Sequence, residues 1–279
     1  MTPDREIWGG SLHLTFRLLS RERQSAHITP MLESDGLTRD QILAKLPYEA
    51  SRALGAGRGE PDERRYRDLR HFYQTVGLVF ERPDQTLAVT ELGRTTLRWL
   101  PLITEQSAPV LGKHAAYALS AIQLRNPSRA GSKYSEEVEV FPCAFIWRAM
   151  VALDGRLSSD ELNREILWTN NEEDIERAIA VIAEAREKDD PTLLGPEAIS
   201  GPKKNDRIVT WISLASFGYT LIQDKNDDPD RQFYRIAPAC RDVLEQAAAI
   251  RRQHREFSNV ADYVEYLSRQ AGLPPALVS

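Results

Sequence analysis

Arg64, Arg67, Arg70, His71 and Gln74 fall on one side of a helix when the chain around them is wound at about 100° per residue. The other side holds Leu69, Phe72, Tyr73 and Val76, spaced i, i+3, i+4, i+7, the pattern of a core-facing stripe. Solvated helix faces usually mix charge signs. This one has Glu63 as the acid beside it and Asp68 off to one side. A forked guanidinium matches guanine edges and phosphate oxygens, and a glutamine amide pairs with adenine. The face suits a duplex major groove. Arg58, in the Gly-rich stretch 54–59 before this helix, and Arg82, in the polar turn after it, are placed to meet a phosphate backbone or minor groove. Lys203, Lys204 and Arg207 form a later basic group.

Other chemistries find little support. His13, His27, His71, His114 and His254 are scattered, with no pair at metal-ligand spacing on one helix face. There is no Gly-x-Ser-x-Gly elbow and no Gly-x-x-x-x-Gly-Lys-Ser/Thr phosphate loop. Residues 184–188 read Glu-Ala-Arg-Glu-Lys, superficially like a nuclease motif, but on a helix where a nuclease uses a strand. They read as a solvated face. Cys143 and Cys240 belong to no Cys-x-x-Cys pair and are expected to be reduced, partly buried thiols. The expectation is no catalytic residue, no metal and no cofactor, leaning away from an enzyme.

The elements that position the basic face recur. Asp35-Gly36-Leu37-Thr38 and Asp154-Gly155-Arg156-Leu157-Ser158 both read as a turn leading to a helix start. Thr38 with Gln41 and Ser158 with Glu161 fit the capping box, which satisfies orphan amides at a helix start. A longer helix follows each, near 61–76 and 172–188. Each is succeeded by a strand–turn–strand pattern: 78–80 with 86–89, and 219–222 with 233–236. Closing helices follow at 90–97 and 237–244. Residues 189–205 are an insertion in the second copy, and 211–214 look like an extra strand or the start of its hairpin. The second long helix has the opposite chemistry to the first. Its core face is Ile175, Ala178, Ile179 and Ile182, and its outer face is Glu173, Arg177, Ala180, Glu184 and Glu187. Carboxylates there repel phosphate, so that module would reach DNA through its hairpin or the Lys203–Lys204–Arg207 group, or else dock protein.

This order of helices and hairpin is that of a winged helix. The fold expected is mainly α with small β-hairpins: two winged-helix modules joined by a helical linker. The units are 1–103, a helical linker and loop over 104–140, 141–257, and a C-terminal helix and tail over 258–279. In the last helix Val260, Val264 and Leu267 share a face, a possible dimer contact. Residues 12–16 alternate like a strand in an ambiguous setting.

The bulk numbers fit. The 279 residues are 42% hydrophobic and 28% charged, ordinary for globular chains. Net charge is −5, with residues 101–200 holding 10 Lys and Arg against 17 Asp and Glu. Any electrostatic footprint for DNA must be local. No apolar run is long enough to span a bilayer, and the polar N-terminus lacks a signal-peptide core, so a cytoplasmic protein is expected.

Gln123-Leu124-Arg125-Asn126-Pro127, Val140-Phe141-Pro142-Cys143-Ala144-Phe145-Ile146-Trp147, residues 153–158 and Ser213-Leu214-Ala215-Ser216-Phe217-Gly218 resemble the winged-helix specificity modules of AlwI-like type II restriction endonucleases and related prokaryotic defence proteins. The resemblance spans about residues 30–250. It implies sequence-specific recognition of double-stranded DNA in a bacterial host. The nuclease residues of such enzymes find no match, so it implies no catalysis here. A recognition component or a transcription regulator fits. The alternative is a winged-helix interaction scaffold of a chromosome-organising or defence complex, which the acidic middle third favours.

Overall fold

The computed structural model describes residues 8, 29, 31–44, 63–99, 108–128, 134–200, 204–218, 220–224 and 232–271. They are mainly helical, with two small antiparallel sheets. The first half gives a helical turn at 39–44, α1 (Glu63–Thr75), β1 (Val79–Glu81), β2 (Leu87–Val89) and α2 (Glu91–Trp99). α3 (Ala108–Ser120) follows. The second half is α4 (Pro142–Ala152), β3 (Arg156–Ser158), α5 (Ser159–Arg164), α6 (Glu172–Glu187), α7 (Lys204–Ala215), β4 (Leu221–Asp224), β5 (Phe233–Ile236), α8 (Arg241–Ala249) and α9 (Val260–Gln270). Among the described residues no helix is long and apolar enough to cross a membrane.

One topology occurs twice. In the second sheet the order is β3-β5-β4, with Ser158 opposite Phe233 and Leu221 opposite Ile236. In the first, β1 pairs with β2, and Thr38 bridges to Thr86 on the far side of β2. The turns entering each sheet are left-handed at Gly36 (φ 77°) and Gly155 (φ 78°), which a residue without Cβ adopts at little cost. Both helix starts beyond them are capped. Ser158 Oγ accepts from Glu161 N at 3.1 Å, and Ser158 N donates to the Glu161 carboxylate at 2.7 Å. Thr38 N donates to Gln41 Oε1 at 2.9 Å. The helix feeding each hairpin also ends on a left-handed glycine, Gly77 (φ 79°) after α1 and Gly218 (φ 70°) after α7.

That last correspondence corrects the sequence reading. Residues 211–214, expected as a strand or the start of a hairpin, lie inside α7. α7, and not α6, is the counterpart of α1. The cause is burial: the described side chains of α7, namely Ile208, Thr210, Trp211, Ile212, Ser213, Leu214 and Ala215, are all inside. A helix with no solvent face has no 3.6-residue hydrophobic period to read, and its β-branched residues mimic a strand. α6 is an additional helix. Its core residues Ile175, Ala178 and Ile182 are buried, and Glu173, Arg177, Ala180, Glu184 and Glu187 are exposed. Its C-terminal end is fastened by Arg186, whose guanidinium donates to both Glu161 oxygens (2.6 and 2.8 Å), to Leu153 O and to Arg156 O. The capping carboxylate thus serves three elements at once.

Long-range contacts tie the two halves together. The Trp8 indole is buried in the second half, donating to Thr169 O at 2.7 Å and packing edge-on against Trp211. α9 returns to the first half and packs on β1, α1, α2 and α3. There Ser268 Oγ accepts from Leu92 N, and a Cβ built on Gly77 would lie 2.8 Å from Leu267 Cβ. The stripe of Val264 and Leu267 expected for α9 is buried within the chain. Between the halves, buried Arg252 donates to Tyr117 O (3.1 Å) and Ser120 Oγ (2.8 Å) on α3 and reaches Gln270 on α9. The Gln123 amide pairs with both backbone groups of Arg255, each at 2.9 Å. Cys143 and Cys240 are buried free thiols. Burial pushes Cys240 up to about 11 and Cys143 further, so neither is a nucleophile at neutral pH.

Two outcomes follow. Gly77→Ala should lower unfolding free energy by about 2–4 kcal/mol, combining a strained φ with the Leu267 collision. Gly36→Ala, with open space around it, should lose only about 1–2 kcal/mol from φ. Denaturant titration of both separates the terms, and equal losses would mean α9 does not press on this turn. Second, burial opposes charge on Glu161, but Arg186 and the Ser158 amide prevail and hold its carboxyl below the ordinary 4.5. Its folded pKa being depressed, the stabilisation is present above pH 4.5 and fades as pH falls through the lower folded value. Wild type should therefore lose its advantage over Glu161→Gln on acidification. A gap that is constant with pH would contradict this.

Candidate nucleic-acid interface

α1 is held by its inner side. Phe72, Tyr73 and Val76 are buried, and Phe72 and Tyr73 meet edge-on at 5.6 Å. Burial raises the Tyr73 hydroxyl well above its ordinary pKa, so it stays neutral. The basic face divides along its length. Arg67 is exposed, and Arg70 and His71 are half-buried. Gln74 is 6% exposed, inside a last turn where Phe72 through Val76 are all buried. In this structure Gln74 is not presented to solvent. The exposed residue of the face among those described, Arg67, lies in the N-terminal half of α1. That is the half a recognition helix points at base edges, and its N-terminal amides add positive potential. Arg64 stands on the same helix, one turn before Arg67, with its side chain outside the described residues.

Carboxylates occupy two of the arginines expected at the interface. Arg70 Nη1 is paired with Glu81 at the end of β1. Arg82 donates to Asp35 (3.0 Å), Leu87 O (2.8 Å) and Thr86 Oγ1 (3.3 Å). Asp35 also accepts from Val89 N at 3.1 Å and lies 3.6 Å from Arg94. Arg82 therefore braces the hairpin against the turn before Gly36. The hairpin tip is acidic rather than basic. Asp84 accepts from Thr86 N and Oγ1, and these bonds lower its pKa, so it is ionised. Sequence spacing placed Arg82 in the turn but carried no sign of Asp35, which is 47 residues away.

Among the described residues the second half has no matching face. Arg67 stands ten residues before Gly77, and ten before Gly218 stands Ile208. Arg70, His71 and Gln74 correspond in the same way to Trp211, Ile212 and Ala215. All four counterparts are buried, and Trp8 covers Trp211. Lys204 and Arg207 are on the first turns of α7, with their side chains outside the described residues. Arg58 and Lys203 lie outside the described residues altogether. The exposed surface of this half is instead the acidic side of α6. Arg251 joins it by bonding to Glu172 and Glu176, and Lys188 pairs with Glu184. Within 184–188, Glu184, Glu187 and Lys188 are exposed, whereas Ala185 is buried and Arg186 turns inward to Glu161. Among the described residues no three His, Cys, Asp or Glu are placed to share a metal ion.

No family model matches the chain, and no curated protein does. Among solved structures, the chain is similar to the BpuJ1 endonuclease binding domain, crystallised with pyrene- and phenanthrene-modified DNA. The TM-score is 0.57 at 13% identity, over 95% of this chain and 96% of that one. At this identity the likeness is one of fold, and it covers the whole arrangement rather than one half.

Arg82 and Arg67 should separate in the absence of any ligand. Arg82→Ala removes a brace and should lower stability by about 1–2 kcal/mol. Arg67→Ala, on an exposed face, should stay within about 0.5 kcal/mol of wild type. Thermal melts of the two variants check this, and an unaffected Arg82→Ala would remove its bracing role.

Proposed function

We propose that this chain binds double-stranded DNA mainly through the first of two winged-helix modules, which enters the major groove with the N-terminal half of α1. The observation that carries the reading is the exposed Arg67 on the helix that feeds the first hairpin, in a fold similar to a domain crystallised on DNA. Arg67 and Arg64 are the groove residues. Arg70 and His71 flank them, and Arg58 reaches the backbone from the preceding loop. Arg82 acts by shaping the hairpin. Gln74 would contribute only if the last turn of α1 opened. The second module serves mainly as scaffold, touching phosphate at most through Lys203, Lys204 and Arg207. The biological role that fits best is recognition component of a prokaryotic restriction or anti-phage system, in keeping with the resemblance to AlwI-like specificity modules. A transcription regulator would use the same contacts.

The acidic side of α6 supports a second role for this scaffold, docking a basic protein partner while the first module holds DNA. A pull-down that retains a partner after nuclease treatment would support it.

The direct test is fluorescence anisotropy on a labelled duplex of random sequence across a salt series. Wild type should bind at about micromolar Kd in low salt, with log affinity falling linearly in log salt. Arg64→Ala/Arg67→Ala should abolish most of that binding. On a preferred sequence, once selected, Arg67→Ala should lose about 1–3 kcal/mol if it reads a base. The same loss on every sequence would mark a phosphate contact. No binding at low salt, or binding indifferent to the double variant, would remove α1 from the interface.

A further inference from the structure

We infer that Glu81 is an electrostatic gate on the proposed DNA-binding face, holding Arg70 in the unbound protein and releasing it when a phosphate arrives. The inference rests on the DNA reading above and names a residue that regulates that same face.

The geometry is local. Arg70 lies on α1 one turn beyond exposed Arg67, on the same side of the helix. Its Nη1 meets a Glu81 carboxylate oxygen on β1, across the angle between helix and hairpin. Glu81 closes its strand opposite Leu87, where the hairpin turns outward, and its side chain is 37% exposed. The carboxylate therefore stands where a backbone phosphate would stand beside α1, and it offers the guanidinium the same pair of acceptor oxygens.

With Arg70 21% and Glu81 37% exposed, the pair is partly open to water, where an ion pair adds little net stability. A phosphate can displace Glu81 without disturbing the core beneath, which is held by Val79 and Phe72. Arg82 differs. Its carboxylate partner Asp35 also accepts from backbone at Val89, and its own second nitrogen is bound to Leu87 O, so it is built into the hairpin. Arg82 is thus tied to backbone as well as to a carboxylate, whereas the pair between Arg70 and Glu81 joins two side chains.

The consequence concerns discrimination. While Arg70 is paired, the face presents less positive charge to an arbitrary duplex, which lowers affinity where no base contact compensates. Once displaced, the Glu81 carboxylate near DNA retains a cation, so the net ion release on binding is reduced. Neutralising it should increase both random-sequence affinity and salt sensitivity.

The experiment is anisotropy with a random-sequence duplex over a salt series, using wild type, Glu81→Gln, Arg70→Ala, the double variant, and Arg67→Ala. Glu81→Gln is expected to bind about 3–10-fold tighter at low salt, with a log–log salt slope steeper by about 0.9, one phosphate's worth. In the Arg70→Ala background the same change should give a clearly smaller gain, limited to removal of one negative charge near the duplex. Unchanged affinity and slope in Glu81→Gln, while Arg67→Ala still weakens binding, would overturn the gate and leave the DNA reading standing. A gain of equal size in the Arg70→Ala background would also overturn it, because the effect would then be general charge and not release of Arg70. Absence of binding by all five proteins would overturn the DNA reading and the gate together.

Discussion

The contact between α9 and the turn at Gly77 decides how the first module is presented. Leu267 sits so close that only a hydrogen fits on the Gly77 α-carbon. That approach closes the chain's last helix onto its first hairpin and sets the angle at which α1 leaves the core. Arg252 reinforces it from behind, spanning α3 and α9 with charged hydrogen bonds inside the fold. Losing one partner of such a buried group leaves the other unsatisfied, so the joint behaves as one unit. The linker helix α3 is therefore part of the core, packed between α4, α8 and α9, and not a tether between independent bodies.

The two copies of the topology have diverged in use. A left-handed glycine ends both α1 and α7, and a capped helix start precedes each, after the bridge at Thr38 in one copy and after β3 in the other. In the first copy the helix shows arginine outward. In the second the matching positions are Ile208, Trp211, Ile212 and Ala215, closed under Trp8. An apolar face gains more from burial than from solvent, and Trp8 packs edge-on against Trp211 there. The second copy then adds α6, whose Arg186 locks the capping-box carboxylate and whose outer side is acidic.

Much of this was legible in the sequence, wherever a local rule governs. The paired Asp-Gly turns, both capping residues, the two hairpins and the amphipathic faces of α1, α6 and α9 follow from spacing alone. α7 was not legible, because burial on all sides erases the period that marks a helix. The glycine after it was the available signal, since Gly77 and Gly218 end the two matching helices. The basic face was legible as a stripe, but its limits were not. Gln74 is covered by tertiary packing, and the partners of Arg70 and Arg82 come from Glu81 on the hairpin and from distant Asp35. Ion pairs between elements leave no periodic trace, so a stripe of arginines shows where charge lies and not what already holds it.

Hydrogen–deuterium exchange with and without duplex DNA tests the division of labour most directly. The account requires slowed exchange in peptides covering α1 and the β1–β2 hairpin when duplex is added. Peptides covering α6 should be unchanged. Protection on α6 with none on α1, or no protection anywhere under conditions where the duplex is bound, would contradict the claim that the first module carries the nucleic-acid contact.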